Sequence, residues 1–507
     1  MTAASSRKPN AAITSGTRLA LGLAFALLAA CVGDEAVPPA TAAAPAQAKP
    51  NVIVIIADDL GFNDISANGG RIPTPNIDAL AASGTRFTSG YVTAAVCAPS
   101  RAALIAGRQQ TRFGYEFNPV QRDTTGGMSL GETTIAQTMK QAGYRTGIVG
   151  KWHLGQPDGY NPLDRGFDTF YGVLAGATPY LTAIGPSDLH VKTAEDDRIT
   201  RKSLPVFDGR NRVEPTEYLT DVFTRKAVDF IGDRKAQPFF LYLAYTAPHT
   251  PLQANASYLA RVPAGGSEFE RVYHAMMLSL DDGVGRLVAH LKATGQYDNT
   301  VIFFLSDNGC PGYLKGACSN TPHGGWKGYP WDGGLKVPFL MSWPARLQPG
   351  VSDSIVSSLD IAATAAAVAG TTHPRAEGID LTGASAGRSD ARTLFWRMGP
   401  THVVRRGKWK LITVNKGATG AQGDELGKSL RPDGQPAKVS ELGQWTVLYD
   451  LSVDPGEKND VAPANPAVVS ELTKAWQAWN KSNVDPQWTS RRGVNADING
   501  MRIELFN

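Results

Sequence analysis

This 507-residue chain has little excess charge, few cysteines and no long hydrophobic run. Its net charge of +4 falls by three, to +1, without residues 1–30, which hold three basic residues and no acid. So small an excess disfavours binding to a phosphate backbone, and we expect no nucleic-acid partner. No apolar run reaches the roughly 18–20 residues that span a bilayer. The chain does have 42% hydrophobic and 8% aromatic residues, which is enough for a large core and excludes global disorder.

The amino terminus has the pattern of an export signal. Residues 19–30 are an apolar run behind a basic segment, with the length of a signal-peptide core. The run leads into residues 28–31, LAAC, which resemble a bacterial lipoprotein cleavage box. The resemblance implies acylation of Cys31 and membrane anchoring, and a plain secretory signal is the alternative. We expect a signal peptide over 1–30, an Ala/Pro-rich tether over 31–50, and a lipid-anchored protein of the bacterial cell envelope, periplasmic or at the cell surface.

Strand and helix patterns alternate after the tether. Residues 51–57 are an unbroken β-branched run, and similar short apolar runs recur at 147–149, 238–245, 300–305 and 337–342. Helical patterns at 133–142, 219–231 and 269–294 separate them, which predicts an α/β fold with a large, mainly parallel sheet between helices. We expect this domain to cover 51–390. Short strand patterns at 402–405, 409–412 and 446–449 and a helix at 466–481 then predict a smaller α+β domain with an antiparallel sheet over 391–507.

Polar side chains follow the predicted strands where they end. Asp58 and Asp59 come after the first strand, and Asp307 and Asn308 follow the strand that ends at 305. Carboxylate and amide oxygens are the ligands that Ca²⁺ and Mg²⁺ prefer. An isolated Asp-Asp pair is more often a turn or a helix cap, but two oxygen-bearing pairs at the same edge of one sheet favour a metal site.

Four further segments occur in a fixed order along the chain. Residues 97–101 read CAPSR, 150–155 read GKWHLG, 247–251 read APHTP, and Lys327 begins KGYPWDGG. Together with the two metal pairs, they resemble the signatures of the formylglycine-dependent sulfatases, in the alkaline-phosphatase-like superfamily. The resemblance covers residues 51–480. One position departs from the family pattern, because Ala106 stands where the family commonly has Thr, and this bears on how efficiently the cysteine is modified.

The resemblance implies a modified nucleophile and a bound metal. A formylglycine-generating enzyme would oxidise Cys97 to Cα-formylglycine, whose hydrate has two hydroxyls. One hydroxyl attacks sulfur, and deprotonation of the other expels sulfate and restores the aldehyde. Asp58, Asp59, Asp307, Asn308 and the modified Cys97 would hold the metal. Calcium is expected, with magnesium possible, because an envelope site has no nucleotide to bring Mg²⁺.

The same transfer assigns the remaining roles. Arg101 and Lys151 would stabilise the diol, and Lys327 would contact the sulfate. His249, alone or jointly with Lys327, would protonate the leaving alcohol, and His153 would take the proton of the second hydroxyl. Asp307 could accept the proton of the attacking hydroxyl.

Two features bear on the substrate and the compartment. Trp326 and Trp331 flank the expected sulfate contact and could stack on a pyranose ring, with core packing as the alternative. We therefore expect a sulfated carbohydrate, in keeping with polysaccharide degradation. The alternatives are small aryl sulfates, phosphonate monoesters or phosphodiesters and, in another class, a non-catalytic glycan-binding lipoprotein. An oxidising compartment favours a Cys310–Cys318 disulfide over two buried thiols.

Overall fold

A computed structural model describes residues 48–119, 126–193, 204–232, 237–314, 316–383, 392–414, 445–488, 493–498 and 501–506. The predictions for the signal peptide over 1–30, for Cys31 and for the first part of the tether lie outside these residues. The strands in chain order are β1 (Asn51–Ala57), β2 (Thr85–Tyr91), β3 (Arg145–Lys151), β4 (Thr169–Val173), β5 (Leu189–Val191), β6 (Val206–Asp208), β7 (Asn211–Val213), β8 (Phe239–Ala244), β9 (Leu252–Ala254), β10 (Thr300–Ser306), β11 (Phe339–Ser342), β12 (Gly350–Ser357), β13 (Thr393–Met398), β14 (Thr401–Arg406), β15 (Trp409–Val414), β16 (Trp445–Asp450), β17 (Gly493–Ile498) and β18 (Met501–Phe506).

Helices lie on both sides of the central sheet. They are α1 (Pro75–Ala82), α2 (Cys97–Ala106), α3 (Ile135–Gln141), α4 (Leu219–Ile231), α5 (Ala256–Leu259), α6 (Glu268–Ala293), α7 (Asp332–Leu335), α8 (Asp360–Val368) and α9 (Pro466–Asn480). The 26-residue helix α6 begins with a capping box, in which Ser267 and Glu270 satisfy each other's backbone N–H groups. In the described part of the chain, no helix is both long and apolar enough to cross a membrane.

A ten-stranded sheet, in the order β12-β2-β11-β10-β1-β8-β3-β4-β6-β7, forms the centre. Strand β1 is parallel to β10 on one side and to β8 on the other, and β8 is parallel to β3. Nearly every β1 residue is buried because helices cover both faces of the sheet, as its β-branched run predicts. Two separate apolar cores flank the sheet. The predicted mainly parallel α/β architecture is confirmed.

The carboxyl-terminal part has the predicted antiparallel sheet, in the order β13-β14-β15-β16, with α9 packed against it. All three strand patterns and the terminal helix lie within a residue or two of their predicted bounds. The predicted boundary at residue 390 lies outside the described residues, so it stays a prediction.

Candidate active site

The site lies where four parallel strands end. Ala57, the last residue of β1, is opposite Ser306, the last residue of β10, so the two predicted metal pairs that follow come side by side. The next strand, β8, leads through a short loop to His249, and β3 ends at Lys151. Two of the loop residues, Asp59 and His153, have positive φ angles of 67° and 61°. Such backbone strain is typical of positions that a functional site requires.

Helix α2 brings the predicted nucleophile to the same edge. Cys97 is its first residue and is buried, and Arg101, one turn later, lies on the same face of the helix. The Cys97 Sγ lies 3.6 Å from Asp58 Oδ1 and 3.9 Å from Asp59 Oδ1. Burial raises the pKa of the Cys97 thiol to about 12. The unmodified side chain is therefore a protonated thiol and a poor nucleophile at neutral pH.

Three acids and three bases form a balanced buried set. Lys151 Nζ lies 2.7 Å from Asp58 Oδ2. Arg101 Nε donates to Asp307 Oδ2 at 2.8 Å. Lys327 Nζ lies 2.7 Å from Asp59 Oδ1. Burial alone would raise the pKa of Asp307, but Arg101 and Lys151 outweigh it and hold that pKa well below its usual range.

The two predicted histidines differ in their surroundings. His249 Nε2 lies 3.6 Å from Asp59 Oδ2, while its Nδ1 is 2.6 Å from the Thr250 carbonyl oxygen, which fixes the ring. His153 is more enclosed. Burial, together with the charges of Lys151 and Arg101, lowers its pKa well below the ordinary value, so the His153 ring is neutral.

The donor set fits a divalent cation. Asp58, Asp59, Cys97 and His249 offer ligand atoms that all lie within 4.8 Å of one another. Asn308 donates from its amide nitrogen to Asp59 Oδ1 at 2.7 Å, whereas its buried Oδ1 has no hydrogen-bond partner among the described residues. A buried acceptor without a donor is costly unless something else satisfies it. A hard cation held by the carboxylates would satisfy Asn308 Oδ1.

Comparison with known proteins agrees with this geometry. The family model described as "Sulfatase" matches residues 50–371, which is more than half of the chain. The chain belongs to the sulfatase family. It is therefore a sulfuric ester hydrolase, and its fold is the alkaline-phosphatase-like fold that the sequence motifs indicate.

Individual relatives differ in how much of their length the sulfatase matches. An arylsulfatase of Hemicentrotus pulcherrimus is 36% identical over 340 residues, which cover 64% of this chain and 59% of that protein. Arylsulfatase A of Bos taurus is 33% identical over 458 residues, covering 85% of this chain and 87% of that protein. Among solved structures, Ps i-CgsB in complex with k-i-k-neocarrahexaose has a TM-score of 0.74 and 33% identity, and the match covers 87% of this chain and 94% of that one.

The charged residues of the sulfatase site differ in their exposure to solvent. The side chains of Asp58, Asp59 and Lys151 are fully buried, whereas those of Lys327 and His249 are 12% and 11% exposed. Lys327 and His249 therefore face the solvent-accessible side of the site.

All ten predicted site residues lie at this one edge of the central sheet. Sequence reasoning missed a second buried ionic cluster. Lys410 of β15, which is fully buried, lies 2.7 Å from both Asp332 Oδ1 and Glu457 Oε1. The Asp332 backbone N–H also donates to Glu457 Oε2 at 2.6 Å. Asp332 begins α7, in the motif that starts at Lys327, so this cluster ties the carboxyl-terminal sheet to the segment that carries Lys327.

The structure also shows whether Cys310 and Cys318 are paired, and it favours core packing over sugar stacking for Trp331. Cys310 and Cys318 form the disulfide that the sequence left open. Trp331 is buried in a hydrophobic cluster, with its ring nitrogen 3.5 Å from the Tyr449 hydroxyl. Trp326 is half-buried against the core. Core packing is therefore the role of Trp331, and that side chain is not available to stack on a sugar.

Proposed function

We propose that this sulfatase releases inorganic sulfate from a sulfated carbohydrate, with a formylglycine made from Cys97 as nucleophile and Ca²⁺ held by Asp58, Asp59, Asp307 and Asn308. The observation that carries the proposal is the position of Cys97, which is buried beside two carboxylates with its pKa raised to about 12. A thiol in that state is unsuited to attack, whereas an aldehyde hydrate offers two hydroxyls at the same place. When bound, the cation polarises a sulfate oxygen and lowers the pKa of a neighbouring hydroxyl.

Each charged side chain then has a defined task. Lys151 and Arg101, which are fully buried, hold the hydrated side chain of residue 97 in place. Lys327 faces the opening and contacts the sulfate. His249, also at the opening, gives a proton to the leaving alcohol, and the neutral His153 accepts one from the second hydroxyl.

The charge of the site supports an anionic substrate. Asp58, Asp59 and Asp307 balance Arg101, Lys151 and Lys327, so a bound divalent cation leaves a surplus of two positive charges in a buried place. Such a surplus attracts a sulfate monoester, and it acts most strongly where charge develops in the transition state. The carbohydrate part of the proposal is supported by the likeness to the structure that contains neocarrahexaose.

The test starts with the tryptic peptide of residues 87–101 from protein made in its native host. We expect a mass lower by one sulfur and two hydrogens and higher by one oxygen. The same preparation should release sulfate from sulfated oligosaccharides and from an aryl sulfate. Cys97→Ala, which cannot be converted, should release none. Full activity of Cys97→Ala, or activity that accompanies an unmodified peptide, would contradict the proposal.

A further inference from the structure

One aromatic side chain at the opening of the site has no assigned role. Tyr313 lies on a short 3-10 turn, Gly312–Leu314, and is 52% exposed. Among the large hydrophobic side chains that are exposed in the described ranges, it is the only aromatic one. Single exposed apolar side chains are common on protein surfaces, so a role for Tyr313 depends on where it lies relative to the site.

The turn that carries Tyr313 packs on the segment that carries Lys327. The Lys327 backbone N–H donates to the Cys310 carbonyl oxygen at 3.0 Å. A Cβ on Gly312 would lie 3.2 Å from the Trp326 ring, so the turn rests directly on that ring. Tyr313 therefore lies on a turn that packs against the segment of Lys327, a lysine whose side chain is 12% exposed at the site.

Several contacts hold the turn in place. Leu314, the next residue, is fully buried in the core. The Cys310–Cys318 disulfide closes the segment, and the Cys318 N–H donates to the Leu314 carbonyl oxygen at 3.1 Å. At its far end, the Ser319 N–H donates to Asp64 Oδ1 at 2.8 Å. A ring on so fixed a turn loses little conformational freedom when it binds a ligand.

We propose that Tyr313 is a substrate-binding residue whose ring stacks on the apolar face of the pyranose next to the scissile sulfate. This inference rests on the carbohydrate substrate proposed above. It replaces the expectation for Trp331, whose ring is buried. Stacking needs the ring and not the hydroxyl, so phenylalanine should serve as well as tyrosine, and alanine should not.

The experiment separates binding from turnover. The calcium-loaded full chain with Cys97→Ala cannot hydrolyse the ester, so calorimetry measures the Kd of a sulfated carrageenan hexasaccharide directly. Tyr313→Ala, Tyr313→Phe and Val453→Ala are each added to that background. Val453 is 81% exposed on the carboxyl-terminal part, so it controls for loss of an exposed apolar side chain. Sulfate release by the wild-type enzyme is measured in parallel on the hexasaccharide and on 4-nitrophenyl sulfate.

We expect Tyr313→Ala to raise Kd about tenfold, and Tyr313→Phe and Val453→Ala to leave it within about twofold. An unchanged Kd for Tyr313→Ala overturns the inference, and so does an equal loss in Tyr313→Phe, which would assign the effect to the hydroxyl. Either result leaves the proposed function intact if the wild-type enzyme releases sulfate from the hexasaccharide. Absence of both binding and release, with aryl sulfate still hydrolysed, overturns the carbohydrate substrate and the stacking role together.

Discussion

Removing the buried ammonium group of Lys410 should destabilise the sulfatase far more than removing an exposed one. In Lys410→Met the aliphatic stem stays, but Asp332 and Glu457 lose the cation that lies 2.7 Å from each. Lys410 keeps the pKa of Asp332 low against burial, while burial raises the pKa of Glu457 to about 7. Breaking a buried ion pair by deleting one partner costs about 3–5 kcal/mol, because the remaining charge stays buried. Arg405, 3.8 Å from Asp332, compensates only in part.

A matched control lies two residues away. Lys408 pairs with Asp450 at 2.6 Å, but its side chain is 50% exposed, and such surface pairs contribute about 0–1 kcal/mol. Unfolding in urea, followed by tryptophan fluorescence, should therefore show a loss of about 3–5 kcal/mol for Lys410→Met and about 1 kcal/mol or less for Lys408→Met. A second change, Glu457→Gln, should restore part of the loss by removing one of the two uncompensated acids. Equal losses for the two lysine variants would show that the buried ion pairs of Lys410 contribute no more to stability than the exposed pair of Lys408.

Three other predictions concern metal, location and pH. Asn308→Ala should weaken calcium binding at least about tenfold, because the buried Asn308 Oδ1 has no hydrogen-bond partner among the described residues and is a proposed calcium ligand. Calcium titration measures the affinity, and an unchanged affinity would exclude Asn308 as a ligand. Cys31→Ala should move the protein from the membrane to the soluble fraction of its host, and an unchanged distribution would argue for another anchor. Burial raises the pKa of Asp64 to about 7, so the folded state keeps a proton that the unfolded chain loses near pH 4. The free energy of unfolding should therefore fall as pH rises from about 4 to 7, and Asp64→Asn should reduce this pH dependence in urea unfolding. An unchanged pH dependence would assign the effect to other groups.

Much of the fold and site follows from local patterns. The run at 51–57 contains no polar residue after Asn51, so it must be buried on both faces, and the polar residues that follow a parallel strand must lie at one edge of the sheet. Asp58 and Asp307 are 249 positions apart, but adjacent strands make them neighbours. The sequence therefore predicted where the chemistry gathers, and the motifs supplied the residue types.

Residues that depend on partners from distant elements could not be predicted in this way. Lys410 stands in a strand pattern where a lysine is usually exposed, and nothing nearby shows that Asp332 and Glu457 meet it in the core. The exposure of Tyr313 depends on the disulfide and on the buried Leu314, so the sequence pointed to the more conspicuous Trp331. In both cases the outcome depends on tertiary contacts, which override local pattern.

The two ionic clusters explain why the carboxyl-terminal sheet matters to a site that it does not line. Lys327 must hold its charge close to Asp59 while one side of it faces solvent, and a lysine on an unsupported loop would instead extend into water. The segment after Lys327 is fixed at Asp332 by Lys410 and by the Tyr91 hydroxyl, which donates to Asp332 Oδ2 at 2.8 Å. Because Lys410 belongs to β15, the carboxyl-terminal sheet supplies the cation that allows Asp332 to remain buried and charged. The position of Lys327 is thus set partly by Lys410, more than 80 positions away, in a part of the chain that holds none of the predicted site residues.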